Sequence, residues 1–388
     1  MRLSPDRFNR KSRIQPLTPL EECGYAACPR FPDRSRDGPR RSPGRLPVTR
    51  LSILIPFLGN RDSLENTLAS VLQNRPEGAE IVVALGQEYE DPYQLGEEVR
   101  FVRAEGATTL VAALNQGFGA CQAPIVHTLA CGATVGDGWA DRALRRFDDR
   151  RIASVAPLIV EADRPQRVWS AGLEYRAGGE CRRRGHGALT DSAASLNGRL
   201  IGPSLVAGFY RRSALGNSSD VFDPALGSDF ADVDLALRLL EAGYASACEA
   251  DSIVLQPKPA PQTSGWTQAR QAERLFWRHL PIDGRLRSLA AHLLTAAGEF
   301  ARALPRPKAF AHLAGRCLAA CEWGSLRRQS LQMALPPCHS PMLEAAPLAA
   351  MGNRTDSEGA GQGFERPHFH FDSRSPRIEP RQSRTLRS

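Results

Sequence analysis

Lysine is almost absent from this 388-residue chain: Lys11, Lys258 and Lys308 are the only three, so arginine carries the formal net charge of +8. Nucleic-acid-binding surfaces usually mix lysine with arginine and interleave aromatic side chains. Here aromatic residues make up 7% of the chain, and the arginines are spread along all of it. Nothing beyond net charge favours a nucleic-acid partner, and we expect none. The basic balance also suits an anionic diphosphate or an acidic membrane surface.

Several other patterns are missing. The nine cysteines form no C-x-x-C pair, which argues against a zinc site and a disulfide framework and indicates reduced thiols. No apolar run reaches the ~18 residues of a membrane-spanning helix, and no secretory signal is visible. We therefore expect a cytoplasmic protein that is at most peripheral at the inner face of a membrane.

Composition divides the chain into four segments. Residues 1–48 and 329–388 are rich in Arg, Pro and Ser without a hydrophobic period, so we predict a disordered basic arm and a disordered tail. Because the first internal methionine is Met333, a non-Met start near Val48, which would leave the arm untranslated, is a further hypothesis. Between these ends we predict a globular domain over 49–280 and a helical hairpin over 281–328.

Short apolar runs alternate with amphipathic segments between residues 51 and 156, which is typical of an α/β domain with a mainly parallel sheet. Functional loops then lie at the carboxyl ends of the strands. Further on, we predict a helix from Asp232 to Ala242, with Asp232 as its N-cap and Gly243 just past its end. The predicted strands begin at Leu51, Glu80, Arg100, Ala123 and Ile152, and the predicted helices between them cover 61–74, 109–120 and 138–148.

Two amphipathic patterns, over 286–304 and 310–321, are separated by Pro305-Arg-Pro-Lys308. A packed αα-hairpin is one interpretation of them. A peripheral contact of 286–323 with a membrane is the other, which the flanking arginines favour.

A set of ordered segments runs through the α/β region. The segments are Ile55-Pro-Phe-Leu-Gly-Asn60 with Thr67-Leu-Ala-Ser-Val-Leu72 after it, Glu80-Ile-Val-Val-Ala-Leu-Gly-Gln87, Asn115-Gln-Gly117, Gly138-Trp139, Phe209-Tyr-Arg-Arg-Ser-Ala-Leu215, Asp223-Pro224 and Asp232-Val-Asp-Leu-Ala-Leu-Arg-Leu-Leu-Glu-Ala-Gly-Tyr244. In their order and spacing these segments resemble family 2 glycosyltransferases over residues 51–256.

The resemblance implies a GT-A fold of the nucleotide-diphospho-sugar transferase type, here followed by a C-terminal helical hairpin. It also implies transfer of a sugar from a nucleotide-sugar donor to an unknown glycan or lipid-linked acceptor, as in polysaccharide biosynthesis. In that family a D-x-D pair holds a divalent cation against the leaving diphosphate, and an aspartate at a helix start removes the proton of the acceptor hydroxyl.

The sequence departs from the family at its donor-side acidic positions, where Ala84, Leu85 and Ala130-Cys-Gly132 stand instead, and Gln256 replaces a histidine. We therefore predict no metal ligands at the D-x-D position and no cofactor held by the motif positions. Asp232 stays in register with the base aspartate of the family, and Asp229 is a second acidic candidate for catalysis.

By the same resemblance, the substrate-binding candidates are Pro56, Asn60, Gly86, Asn115 and Asp234. The segment Cys181-Arg-Arg-Arg-Gly-His-Gly187 adds Arg182, Arg183, Arg184 and His186. Guanidinium groups bind phosphate oxygens well, so these side chains would compensate for a missing cation. A solvated basic loop and contacts with the acceptor are the alternatives.

Two functions stay open. The first is a glycosyltransferase that works without a D-x-D-bound metal and uses Asp232 as its base. The second is a catalytically inactive relative that serves as a binding or scaffold protein. For Asp232 itself, base and helix cap are both open, and one residue can be both. A nicotinamide dehydrogenase is set aside, because no G-x-G-x-x-G follows the first strand.

Overall fold

The computed structural model describes residues 49–195, 200–216, 220–257, 265–280, 284–304, 308–322, 324 and 333–338. Contacts group the chain into Met1–Leu46 and Pro47–Ser388, and every described residue belongs to the second unit. The arm and the tail predicted to be disordered lie outside the described residues, apart from the short stretch 333–338.

Nine strands of the described chain form one mixed sheet in the order β3-β2-β1-β4-β10-β6-β11-β5, with β7 paired to β6. Strands β8 and β9 form a separate antiparallel hairpin. The strands are β1 Leu51–Phe57, β2 Ala79–Leu85, β3 Val99–Arg103, β4 Ile125–Leu129, β5 Thr134–Val135, β6 Ile152–Glu161, β7 Arg164–Ser170, β8 Leu173–Tyr175, β9 Cys181–Arg183, β10 Ala207–Arg211 and β11 Ala245–Gln256.

The described residues also form seven helices. They are α1 Arg61–Gln73, α2 Leu110–Ala120, α3 Trp139–Arg145, α4 Gly227–Glu241, α5 Gly265–Arg278, α6 Arg285–Ala303 and α7 Lys308–Cys321. Strands β3, β2, β1 and β4 run parallel to one another, while β10 is antiparallel to β4 and β6. The mixed α/β architecture predicted from the sequence is confirmed.

Strand β1 is buried along its whole length, because a helix covers each of its faces. Alternate side chains of a strand point to opposite faces of the sheet. Ile53 and its alternate neighbours pack in one core cluster with Leu64 of α1. Leu54 packs in a second cluster with Leu114 of α2. Burial on both faces explains why this strand is a continuous apolar run in the sequence.

Helix α4 differs from its prediction at the N-terminal end. It begins at Gly227, five residues before Asp232, so the prediction of Asp232 as an N-cap is wrong. A 3-10 turn over Pro224–Leu226 leads directly into the helix, and the Asp223 side chain caps that turn by accepting from the Ala225 N–H at 2.8 Å. The C-terminal prediction is confirmed, since Gly243 follows the helix with φ +87°.

A buried cluster of charges joins α4 to α5. The Asp234 carboxylate accepts from Arg238 at 2.8 Å, from Arg278 at 2.9 Å and from His279 at 2.9 Å. Arg278 also pairs with Asp223. Because a buried charge is costly without a partner, this closed arrangement fixes α5 against the helix that carries Asp232.

The C-terminal helices attach through polar contacts and one close backbone approach. Glu273 of α5 accepts from His292 of α6 at 3.0 Å and from Arg316 of α7 at 2.8 Å. Helix α7 packs mainly against α5, where a Cβ on Gly315 would lie only 2.8 Å from the Trp266 carbonyl oxygen. None of the helices in the described part of the chain has the length and apolar character needed to cross a membrane.

Candidate functional site

A cavity of about 400 Å³ lies at the carboxyl ends of β2 and β3, lined by residues 85–90 and 103–106. This is the edge of a parallel sheet where ligands of open α/β folds bind. The Tyr89 ring, one of its walls, packs edge-on against Phe57 at 5.5 Å. Gly86, a predicted substrate contact, lines the cavity, and its backbone comes so close to residue 107 that no side chain would fit. Tyr89 lies on a loop without a periodic pattern, so no sequence signal pointed to it.

Pro56 and Asn60 lie at the carboxyl end of β1, next to this edge. The Asn60 side chain caps α1 by accepting from the Ser63 N–H at 3.0 Å. Pro56 is buried in β1, and its carbonyl oxygen accepts from the Cys131 thiol at 2.9 Å. Both residues therefore have a structural task at the position where a ligand contact was predicted.

The segment Ala130-Cys131-Gly132 follows β4 and packs against α1. The Gly132 N–H lies 2.8 Å from the Thr67 hydroxyl and 3.1 Å from the Ser63 carbonyl oxygen. Burial raises the pKa of the Cys131 thiol to about 12. A neutral thiol between alanine and glycine offers no negatively charged ligand atom at this loop. Among the described residues, no group of three His, Cys, Asp or Glu side chains is placed to hold a metal ion.

Two further predicted contacts are engaged within the protein. Asn115 of α2 donates to the Phe222 carbonyl at 2.7 Å and accepts from the Phe222 N–H at 2.9 Å. It thereby ties α2 to the chain that enters α4. Asp234 is fully buried in the charge cluster between α4 and α5. Both side chains therefore have structural roles: the Asn115 amide and the Asp234 carboxylate bind groups of the protein itself.

Asp232 lies on α4 in a nearly closed environment, with 6% of its surface exposed. One carboxylate oxygen accepts from the Leu205 N–H and the other from the Val233 N–H, both at 2.8 Å. Burial raises the pKa of Asp232 to about 7, although these backbone donors and the charge of Arg183 act in the opposite direction. A carboxylate with such a pKa exchanges protons near neutral pH, which is the property required of a general base.

Arg183 is the arginine of the basic segment that faces this carboxylate. Its guanidinium stacks on the Trp169 ring at 4.0 Å, and attraction by Asp232 and Asp229 opposes the burial that lowers its pKa. Asp229 and Asp232 are three residues apart on α4 and share a face. Both acidic candidates therefore lie within electrostatic range of Arg183.

The other members of the basic segment point elsewhere. Alternation along β9 turns Arg182 away from Arg183, and Arg182 pairs with Glu180 at 2.6 Å. Arg184 lies beside Cys248, and His186 Nδ1 lies 3.0 Å from the Trp169 carbonyl oxygen. Among the described residues, Arg183 is thus the arginine of this segment whose charge acts on the Asp232 carboxylate.

Two buried donors near Asp232 were not expected from the sequence. The Trp169 indole N–H and the Ser204 hydroxyl are buried and have no hydrogen-bond partner among the described residues. Ser204 directly precedes Leu205, whose N–H binds Asp232, and Trp169 carries Arg183. Buried polar groups normally find a partner, so these two donors are candidates for a ligand contact.

Comparison with solved structures identifies the fold. The protein aligns with S. aureus TarS 1–349 at a TM-score of 0.50 and 14% identity, covering 73% of this chain and 88% of that one. GalNAc-T7 with UDP, GalNAc and Mn2+ aligns at 0.49 and 14% identity, covering 75% and 55%. The mannosyltransferase PcManGT from Pyrobaculum calidifontis, in complex with GDP-Man and Mn2+, aligns at 0.41 and 14%, covering 74% and 85%.

These solved structures are glycosyltransferases of the GT-A fold, and the TarS alignment shows that this protein shares the fold. The aligned region spans only about half of the GalNAc-T7 chain, 55% of it. No protein-family model matches the sequence, and no curated protein matches it either.

Proposed function

We propose that the protein is a glycosyltransferase of the family 2 type, which transfers a sugar from a nucleotide-sugar donor to an acceptor hydroxyl. The observation that carries the proposal is the pair of Asp232, whose pKa is raised to about 7, and Arg183, which is stacked on Trp169 beside it. A base and an anion-binding group at one place are what this reaction needs. The GT-A fold and the cavity at the ends of β2 and β3 support the proposal.

Each side chain then has a chemical task. Asp232 accepts the proton of the attacking hydroxyl as the new glycosidic bond forms and the bond to the diphosphate breaks. Asp229, on the same face of α4, orients that hydroxyl. Arg183 binds an oxygen of the departing diphosphate through its charged donors, and the Trp169 ring holds the guanidinium in place. The cavity beside Tyr89 and Gly86 takes the nucleoside part of the donor.

A divalent cation at the D-x-D position does not fit the residues present. If Ala130, Cys131 and Gly132 occupy that position, they supply one half-buried thiol whose pKa is about 12 and no carboxylate. Hard cations take oxygen ligands in proteins. We therefore derive no step through a metal at this loop, and Arg183 is the compensating charge in the proposal.

For the acceptor we propose a glycan or a lipid-linked glycan, as in polysaccharide biosynthesis. The protein would then act in the cytoplasm near the inner face of a membrane, with peripheral contact through residues 286–323.

A catalytically inactive relative that binds or scaffolds is the second candidate. One observation favours it: both oxygens of Asp232 already accept backbone N–H groups, and Asn115 and Asp234 are engaged internally. Such a protein would bind a nucleotide sugar, or none, without turning it over.

A thermal-shift panel with UDP-, GDP- and dTDP-sugars, each with and without manganese, tests donor binding. We expect one donor class to raise the melting temperature, equally with and without manganese, because ligand binding stabilises the folded state. Arg183→Ala should lower the affinity for this donor by about tenfold or more. Arg182→Ala is the matched control on the same strand and should leave the donor affinity unchanged. If no donor stabilises the protein, the transferase proposal is refuted.

A further inference from the structure

Helix α6 packs its polar face on the protein and exposes its apolar face to solvent, the reverse of the usual arrangement. The side that packs on the protein holds Ser288, His292, Thr295 and Glu299, all buried or half-buried. The side turned to solvent is apolar: every exposed residue of α6 after Arg287 whose side chain is described is alanine or leucine. They are Ala290, Leu293, Leu294, Ala297 and Ala301.

The exposure of these side chains is large. Leu286 is 85% exposed, Leu294 75% and Leu293 69%. A surface helix of a soluble protein normally turns its apolar stripe inward. The apolar stripe of α6 cannot turn inward, because the inward side is held by polar contacts: His292 donates to Glu273 at 3.0 Å, and Arg316 of α7 pairs with Glu299. The orientation of α6 is therefore fixed by buried polar contacts.

Helix α7 continues the same surface. Its exposed side chains in the described part of the chain follow a helical spacing and are all apolar or thiol: Phe310, Ala314, Cys317, Leu318 and Cys321. Phe310 meets Phe300 of α6 edge-on at 6.0 Å. The two stripes thus adjoin, and together they form what we call the α6–α7 face, made of the exposed apolar residues of both helices.

The charge around the α6–α7 face has one sign. Arg285 and Arg287 are exposed at its N-terminal end, while α7 contains no acidic residue. Glu299, the one acidic residue of α6, points inward to Arg316. Among the described exposed side chains of α6 and α7, the face is apolar, has arginine at one end and carries no carboxylate, which complements an anionic lipid surface. Neither helix is suited to crossing the bilayer.

We propose that the α6–α7 face lies flat on a membrane containing anionic lipid. Its leucines and Phe310 insert among the acyl chains, and Arg285 and Arg287 contact the lipid phosphates. A second copy of the chain, or a segment outside the described residues, would be a different cover for the same face. The exposed Arg285 and Arg287 favour lipid, since two copies would bring like charges together. The proposal deepens the peripheral membrane contact of the proposed function and rests on it, but membrane binding can be measured without sugar transfer, so the two can fail separately.

Co-sedimentation of the full chain with two kinds of vesicle tests the proposal. One kind is phosphatidylcholine alone, and the other contains about one third phosphatidylglycerol. We expect the chain to bind the anionic vesicles and to bind the neutral vesicles much more weakly. Leu293→Glu with Leu294→Glu should lower the affinity about tenfold or more, because two apolar side chains no longer insert. Arg285→Glu with Arg287→Glu should lower it on anionic vesicles by a similar factor.

Leu189→Glu is the matched control, since Leu189 is an exposed leucine outside these helices, and it should bind like the unchanged chain. Thermal melts of all variants check folding, and substitutions at these exposed positions should not change the melting temperature. Light scattering after size exclusion is run in parallel. Absence of binding to anionic vesicles, or equal loss with Leu189→Glu, overturns the proposal. So does a dimer that Leu293→Glu with Leu294→Glu dissociates while vesicle binding is unaffected.

Discussion

The surroundings of Asp232 on α4 set the pKa and the orientation of its carboxylate. Water is nearly excluded from the carboxylate, which raises its pKa to about 7, while the N–H groups of Leu205 and Val233 keep it oriented. At neutral pH a group of this kind is divided between its two protonation states. Arg183 nearby favours the ionised form, which is the form able to accept a proton.

The proposed base predicts a pH profile. Release of nucleoside diphosphate from the donor that binds should rise with pH and level off above about 7, because only ionised Asp232 accepts a proton. Asp232→Asn should lower the rate about 10²–10⁴-fold without weakening donor binding. Asp229→Asn should reduce the rate less and keep the profile. A rate that is flat between pH 6 and 8 in the unchanged protein would rule Asp232 out as the base.

At the scale of single elements, α2 shows why a segment that resembles a functional motif can be structural. Asn115 ties the helix to Phe222 through two hydrogen bonds. Two residues further on, Gly117 lets α2 approach β1 and β2 closely, because a Cβ there would clash with Leu54 Cδ1 and lie 3.0 Å from the Ala84 Cβ. The Asn-Gln-Gly segment thus sets the distance between this helix and the sheet.

A pair of glycine substitutions in α2 tests that interpretation. Gly117→Ala should destabilise the protein by about 1–3 kcal/mol, because the added methyl displaces the buried Leu54 side chain. Gly119→Ala is the control in the same helix, where nothing lies within 4 Å of the new Cβ. It should be neutral or stabilise by up to ~1 kcal/mol, since alanine favours helix over glycine. Urea unfolding measures both, and equal effects would refute close packing at Gly117.

For the whole molecule, the charge cluster between α4 and α5 links stability to pH. Both ring nitrogens of His279 lie beside carboxylates, Asp234 at 2.9 Å and Glu241 at 2.7 Å. Burial alone would lower the pKa of His279, but these two partners outweigh it and raise the pKa to about 9. The pKa of Asp234 is lowered, because its cationic partners outweigh its burial.

The sign of the pH dependence follows from that shift. A histidine whose pKa is raised on folding stabilises the native state fully below its unfolded value of about 6.5, and the contribution disappears as pH rises through about 9. His279→Gln should therefore cost roughly 3 kcal/mol at pH 6 and much less at pH 9. Urea midpoints of both proteins across this range measure the difference. A difference that is constant with pH would mean that His279 is neutral in the folded protein.

The sequence by itself determined the alternation of strands and helices. Apolar runs such as Leu51–Phe57 are buried on both faces, and this condition leaves a local pattern. Helix ends marked by local chemistry were also predictable, as at Gly243, where a positive φ is needed. The start of α4 was placed wrongly because Asp223-Pro224, the true capping pair, precedes a 3-10 turn that continues into the helix.

Only the tertiary structure decided what the candidate side chains do. Asn115 and Asp234 match the expected motif positions, yet long-range contacts hold them inside the protein. Of three consecutive arginines, strand alternation and the Trp169 ring select Arg183. The outward apolar face of α6 likewise depends on His292 and its distant partner Glu273. Sequence patterns record local burial and capping, whereas a site consists of groups that are far apart in the chain and meet only on folding.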